Sequence, residues 1–395
     1  MGLQSIKSWI KNCVGCGMCT GPGPIYPFRE EGMDPEEEGI PSHPCPMYER
    51  YRFISASPRG LLYLAAAIVN QEFTVTQRLV DRAYQCLTCG VCDDLCQINK
   101  TLAVQALREE MVGRGVGPLP ANQQIDAYIA KNNNVFGLPA KLRGKWTEDL
   151  GLSTEGDFLF FAGCYDSYRY PKEARDFIRI FQKSGLKVAH LGVSEICCGA
   201  HAFWDGNTDL ALTKGRALIG AIEKTKHKEV VVTCPDCYRV LAEDYANLLG
   251  GLPFKVTHVS VKLAEVIRNG GFSFTREINE TATYHDPCRL FNHFLIEDEP
   301  REIIKSVPGL HYKELRDGKR WSACCGSGGM VVQHAFPEFT EEVAVKRLNR
   351  AKSLAPLVIT NCPHCFETFV NVSVKFGIEV KIQSLVNLVA ESMAF

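Results

Sequence analysis

The sequence predicts an α+α/β protein, with a helical N-terminal domain followed by two pseudo-symmetric α/β domains. Three observations carry this reading. The doublet Cys197-Cys198-Gly199 recurs as Cys324-Cys325-Gly326, each inside a five-cysteine set with nearly matching intervals: 32 and 35 intervening residues in the first set, 35 and 36 in the second. Short apolar runs lead into cysteines in both sets, as buried parallel strands do when ligands gather at their carboxyl ends. Upstream, two cysteine triplets stand beside segments with helical start signals. The expected division is a helical domain over 1–120, a linker over 121–155, and repeats over 156–275 and 276–395.

Composition narrows the function. With 44 basic and 45 acidic residues the net charge is -1, which excludes the basic footprint of a nucleic-acid binder. Eighteen cysteines in 395 residues are too many for an ordinary enzyme, and the chain is too large for a disulfide-stapled secreted domain. Their grouping into CxxC runs and doublets favours metal over disulfides. Met1 to Cys19 holds no apolar leader, and Gly60 to Val69, the longest apolar helix candidate, is about half a bilayer span. A cytoplasmic protein without its own membrane span is expected, a membrane partner being compatible with it.

The elements follow in order. Cys13, Cys16 and Cys19 form the first triplet; Cys86, Cys89 and Cys92 form the second, with Cys96 following. Both match the ferredoxin run, in which three thiolates converge from one tight loop and a distant cysteine completes the other 4Fe-4S cluster. The pairing expected is Cys13, Cys16, Cys19 with Cys96, and Cys86, Cys89, Cys92 with Cys45. Cys45 keeps the following proline of that run, whereas Cys96 precedes Gln97. Two structural zinc ions are the alternative occupant. Gly21 to Pro46, with Glu36-Glu37-Glu38, reads as a loop. Helices are expected from Arg59 to Val69, Thr76 to Tyr84 and Leu102 to Met111. Residues 112–154 read as a linker with short helical pieces, anchored by Trp146.

In the first repeat, Asp157 to Ala162 is an apolar strand ending at Gly163-Cys164. Pro171 to Lys183 is a helix, Lys187 to Leu191 a strand, Thr208 to Lys224 a helix, Glu229 to Thr233 a strand entering Cys234, and Tyr238 to Leu249 a helix. The second repeat offers a strand at Thr281 to Tyr284 before Cys288, a helix at Pro337 to Leu354, a strand at Leu357 to Thr360 before Cys362, and a last helix at Leu385 to Met393. Gly326-Ser327-Gly328-Gly329 lacks both the dinucleotide spacing and the phosphate-loop lysine. Packing about a pseudo-two-fold axis would bring both cysteine sets to one cleft.

Each set holds one thiol more than a cubane needs: Cys164, Cys197, Cys198, Cys234, Cys237, then Cys288, Cys324, Cys325, Cys362, Cys365. Spacing leaves open a non-cubane cluster, a cubane plus a redox-active thiol, zinc with spare cysteines, or a disulfide system. At this point the residues resemble a known family. Both sets look like the cysteine-rich CCG domain of the heterodisulfide reductase catalytic subunit, and the N-terminal triplets look like that enzyme's two-cluster ferredoxin-type subunit. The chain resembles their fused form. It is also similar to the iron-sulfur subunit of anaerobic glycerol-3-phosphate dehydrogenase, to lactate and glycolate oxidase subunits, and to the heterodisulfide reductase-like modules of benzoyl-CoA reductase complexes.

The resemblance implies a helical two-cluster ferredoxin domain, two CCG domains, and four 4Fe-4S clusters, two cubane and two noncubane. It implies an oxidoreductase subunit in a multisubunit complex, fed by a flavin-containing or ferredoxin-like partner. A disulfide would be split at a catalytic centre around Cys197, Cys198, Cys324 and Cys325. His201 and His285 are candidate proton donors, or hydrogen-bonded structural histidines. The alternatives are a purely electron-transferring subunit without its own substrate, quinone-linked or of benzoyl-CoA reductase type, and a zinc scaffold.

Overall fold

The computed structural model describes residues 2–20, 45–72, 74–94, 96, 98–148, 150, 154–319 and 322–394. The expected loop with Glu36-Glu37-Glu38 lies outside them. The helical part is built from α1 (Pro58–Val69), α2 (Gln77–Tyr84), α3 (Lys100–Gly113) and α4 (Pro120–Asn132). Local chemistry sets the starts of α1 and α3: Ser57 Oγ accepts from Gly60 N at 3.1 Å and Asn99 Oδ1 from Leu102 N at 3.0 Å, satisfying donors that a helix end leaves orphaned. Pro58 takes the first turn of α1, where its missing N–H costs nothing. The helix α4, 13 residues long, falls where the sequence suggested only short pieces. It buries Ile125 and Ile129 in the core shared with the first repeat, so the segment is packed structure. Trp146 is buried as expected, edge-on to Phe160 at 5.5 Å.

The first repeat contains β1 (Phe158–Phe161), α5 (Pro171–Lys183), β2 (Val188–His190), α6 (Ala200–Asp205), α7 (Thr208–Lys224), β3 (Glu229–Val232), β4 (Lys255–His258) and α8 (Val259–Arg268). The second contains β5 (Thr281–Tyr284), α9 (Asp298–Ser306), β6 (His311–Tyr312), α10 (Pro337–Leu354), β7 (Leu357–Thr360), α11 (Pro363–Phe376), β8 (Lys381–Ser384) and α12 (Leu385–Ser392). Each forms a four-stranded parallel sheet, ordered β2-β1-β3-β4 and β6-β5-β7-β8. The order is the same in both, so the repeat in sequence is a repeat in topology. The two central strands of each sheet are almost wholly buried, consistent with their apolar runs.

One apolar core joins the sheets. Phe158, Phe160, Phe177, Phe181 and Leu263 from the first repeat meet Tyr284, Ile304, Leu357, Leu385 and Leu388 from the second. Helix α12 packs on α5 and α8 on α9, contacts that correspond under the pseudo-symmetry. A second core fuses the helical part to both repeats: Leu107, Met111, Ile125 and Ile129 pack with Phe203 and Trp204 of the first and Met330 and Val331 of the second. Arg108, fully buried, ties this seam by donating to the carbonyls of Trp204 at 2.6 Å and Cys86 at 2.6 Å.

Candidate functional site

Several of the sulfur groups sit where strands end and helices begin. Cys164 follows β1, Cys234 follows β3 and Cys362 follows β7, each next to the open carboxyl edge of its sheet. The doublets owe their local form to glycine. Gly199 has φ +79° and Gly326 φ +93°, a region that favours a residue without a Cβ, and each turns its N–H onto the first cysteine of its doublet, at 3.5 Å to Cys197 Sγ and 3.3 Å to Cys324 Sγ.

In the first set, Cys198 Sγ lies 3.2 Å from Cys237 Sγ, and all five cysteines line one cavity with His201 and His364. Hydrogen bonds with Cys197 and Cys237 pull the Cys198 thiol down to about 6. Burial pushes Cys234 up, but bonds with Cys237 and His364 outweigh it and hold it at about 6. The second set is linked likewise. Cys324 interacts with Cys288 and Cys325, while Cys325, its thiol held well below the usual range by Cys324 and Cys365, also meets His285. Ten buried or half-buried thiols in two groups are a soft donor set that fits iron and sulfide better than a hard cation.

The second repeat reaches the cavity of the first set. The variable residue of each Cys-Pro-x-Cys crosses over: His364 Nε2 is 3.4 Å from Asp236 Oδ2, and His364 groups with Cys234 of the first set. Gly329 and Met330, from the second repeat, line the first set's cavity. The sequence reading missed Asp236 and His364; the available signal was an acid and a histidine at the same position of a repeat. It also missed Arg289, which follows Cys288. Arg289 donates to Thr88 O at 2.7 Å, Thr88 Oγ1 at 2.8 Å and Asp236 Oδ1 at 3.1 Å, and lies over the Trp204 ring at 4.1 Å. One guanidinium thus binds the second triplet's loop to both repeats.

In the helical part, Cys45, Cys86, Cys89 and Cys92 line one small cavity. The Lys100 ammonium, bonded to Cys92 O at 2.8 Å, feels the nearby sulfurs of Cys92, Cys96 and Cys19. Cys13 neighbours Cys19, and Cys16 is exposed. Cys89 meets Cys324 side chain to side chain, so the second triplet touches the second five-cysteine set.

The two candidate histidines are buried and neutral. Burial pushes His201 down to about 3, and His201 Nε2 lies 3.5 Å from Asp205 Oδ2. Burial also depresses His285, whose Nδ1 accepts from Arg347 Nε at 3.1 Å.

A family model, the cysteine-rich domain CCG, matches residues 158–242 and 282–369, one copy on each sheet. Over nearly its whole length the chain is similar to a heterodisulfide reductase subunit and to other oxidoreductases. One relative is a subunit of the dihydromethanophenazine:CoB–CoM heterodisulfide reductase of Methanosarcina mazei, 28% identical and covering 97% of this chain and 94% of that one. Another is a subunit of the fumarate reductase (CoM/CoB) of Methanothermobacter marburgensis, 29% identical over 98% and 74%. The EtfAB:quinone oxidoreductase of Syntrophomonas wolfei is 27% identical, over 92% and 56%. Among the described residues, no helix is long and apolar enough to cross a membrane.

Proposed function

We propose that this protein is an iron-sulfur subunit that carries electrons from a flavin-containing or ferredoxin-like partner to a disulfide. In this reading, Cys13, Cys16, Cys19 and Cys96 hold one cubane 4Fe-4S cluster and Cys45, Cys86, Cys89 and Cys92 the other. The sets from Cys164 to Cys237 and from Cys288 to Cys365 hold two noncubane 4Fe-4S clusters. The observation that supports it best is the contact between Cys89 and Cys324, which makes the ligands of two successive centres neighbours. Relationship to named subunits of redox enzymes points the same way.

When bound, such clusters supply electrons singly, and cleavage balances as RSSR + 2e⁻ + 2H⁺ → 2RSH. The chain's own groups hold protons and charge. Arg347 is a donor only, so its bond to His285 Nδ1 leaves the proton of that neutral ring on Nε2, and the ring neighbours Cys325 and Cys365. Hydrogen bonding to Cys234 and the nearby Asp236 overcome burial and keep His364 well above its usual range, beside the first set. Arg143 Nη2, 3.5 Å from Cys164 Sγ, adds a fixed positive charge.

The test is anaerobic purification with metal analysis, followed by reduction of a small organic disulfide by an artificial electron donor. The reading expects a brown protein with roughly 16 iron atoms per chain, the ligand count for cysteine-held 4Fe-4S sites, and thiol formation. Zinc in place of iron would leave the scaffold alternative standing. Normal cluster reduction without turnover would make the chain an electron conduit only.

A further inference from the structure

The pseudo-symmetry makes differences between the halves informative. Tyr170 and Phe294 each stand six residues after the first cysteine of a set, and Tyr238 and Phe366 each follow the last. Across the interface of the halves these rings pair twice: Tyr238 with Phe294 at 4.7 Å and Tyr170 with Phe366 at 5.1 Å. Beside each pair stands the N-cap residue of the following helix, His258 for α8 and Ser384 for α12. At the first pair, the His258 ring lies 5.9 Å from Tyr238, and its Nε2 is 3.0 Å from the carbonyl of Thr233, the residue before Cys234.

At the second pair the imidazole is replaced by the small Ser384, and a cavity of about 260 Å³ opens, reaching Cys362. Asn361, the counterpart of Thr233, lines it. Asp166 lines it too, standing where the other half has Leu290. The cavity is rich in acceptors: Glu173 accepts from Ser384, and Asp166 from Thr233 Oγ1 at 2.5 Å. It also holds an unused donor. Asn361 is 5% exposed, its Oδ1 accepts from Tyr284 at 2.5 Å, and its Nδ2 has no hydrogen-bond partner. A buried donor left unpaired is costly, so a partner is favoured there. The basic groups at the mouth are engaged elsewhere, Lys172 with Asp176 and Arg169 over the Phe136 ring at 4.8 Å.

We infer that this cavity binds a small azole-like molecule, one that offers an N–H to the Asp166 and Glu173 side and a lone pair to Asn361, with its ring against Tyr170 and Phe366. The occupant fills at Ser384 the space that the His258 ring fills in the other half, and it lies against Cys362. Imidazole itself is the probe. Calorimetric titration of the whole protein should show saturable binding of one imidazole per chain. Ser384→His, which imports the residue the other half carries, should weaken that binding at least tenfold, and Asp166→Leu, its other counterpart, at least tenfold as well. Near-ultraviolet circular dichroism checks folding, and if either variant misfolds, Glu173→Gln takes its place with the same expectation. The absence of saturable binding, or binding unchanged in correctly folded variants, overturns the inference. Heat of binding needs no electron transfer, so either outcome is independent of the disulfide assay.

Discussion

Arg289 is the residue on which the three parts of the molecule meet. Its guanidinium is buried, and it lies beside Asp236, Thr88 and the Trp204 ring. Removing it leaves the Asp236 carboxylate and the Thr88 carbonyl short of a donor inside the protein. Breaking a buried pair from one side costs about 3–5 kcal/mol, far more than the roughly 0–1 kcal/mol of a surface pair. Arg289→Ala should therefore lower unfolding free energy by about that larger amount in denaturant titrations, and Arg289→Lys should restore only part, because a lysine cannot reproduce the fork. His258 makes a pH prediction. Burial depresses it to about 3, below the usual 6.5 of an unfolded histidine. The folded state then binds fewer protons than the unfolded state between those values, so its contribution is whole above about pH 6.5 and shrinks as pH falls. At about 1.4 kcal/mol per pH unit, a His258→Asn variant should close on the wild type by about 2 kcal/mol between pH 6.5 and pH 5 in urea titrations. Cysteine substitutions read the grouping directly. Cys325→Ala should alter the paramagnetic signal of one C-terminal centre and leave ferredoxin-type signals intact, and loss of the latter instead would refute the ligand sets.

At the scale of elements, packing outweighs surface charge in the seam between the repeats. Phe177 on α5 is fully buried, stacked on Phe160 at 3.9 Å and set edge-on to Phe158 at 6.1 Å. Phe177→Ala should cost about 3–5 kcal/mol by thermal or chemical unfolding. Arg268 on α8 bonds Glu302 on α9 at the corresponding seam, but its side chain is 53% exposed, and Arg268→Ala should cost less than about 1 kcal/mol. The same contrast explains what could be read from sequence. The central strands β1, β3, β5 and β7 are buried along their length and announce themselves as apolar runs entering cysteines. The edge strands β4, β6 and β8 went unrecognised. Lys255-Val-Thr-His258 and Lys381-Ile-Gln-Ser384 begin exposed and end buried, so polar residues interrupt the pattern, and His311-Tyr312 is only two residues long. Helices α8, α9 and α11 were missed with them. The cysteine spacing was legible because ligands must recur at fixed strand ends. The residues that join one set to the other were not, since Asp236, His364 and Arg289 gain meaning only when the halves face each other.

At the scale of the whole molecule, the helical part is no detachable module. The core that contains α3 and α4 continues through α6 into the cysteines of the first set: Leu107, Ile125, Trp204, Cys197 and Cys237 belong to one buried cluster. Polar groups cross the same seam. Tyr84 donates to Asp205 O at 2.6 Å, Gln105 to Phe203 O at 3.3 Å, and Asn207 to Asp126 at 2.6 Å, besides the Arg108 bond to Trp204 O. Cutting the chain before residue 154 would strip these partners from α6 and bare Phe203, Trp204 and Val331. Each large apolar side chain returned to water forfeits about 1.5–3 kcal/mol, and a whole domain is stable by only about 5–15 kcal/mol. A fragment of residues 154–395 is thus expected to lose cooperative unfolding and to bind an apolar dye, read by thermal near-ultraviolet circular dichroism and fluorescence. A fragment that melts in one sharp transition with a native-like signal would show that the seam is dispensable. It would also separate the two five-cysteine sets from the contact of Cys89 with Cys324 on which the proposed electron route depends.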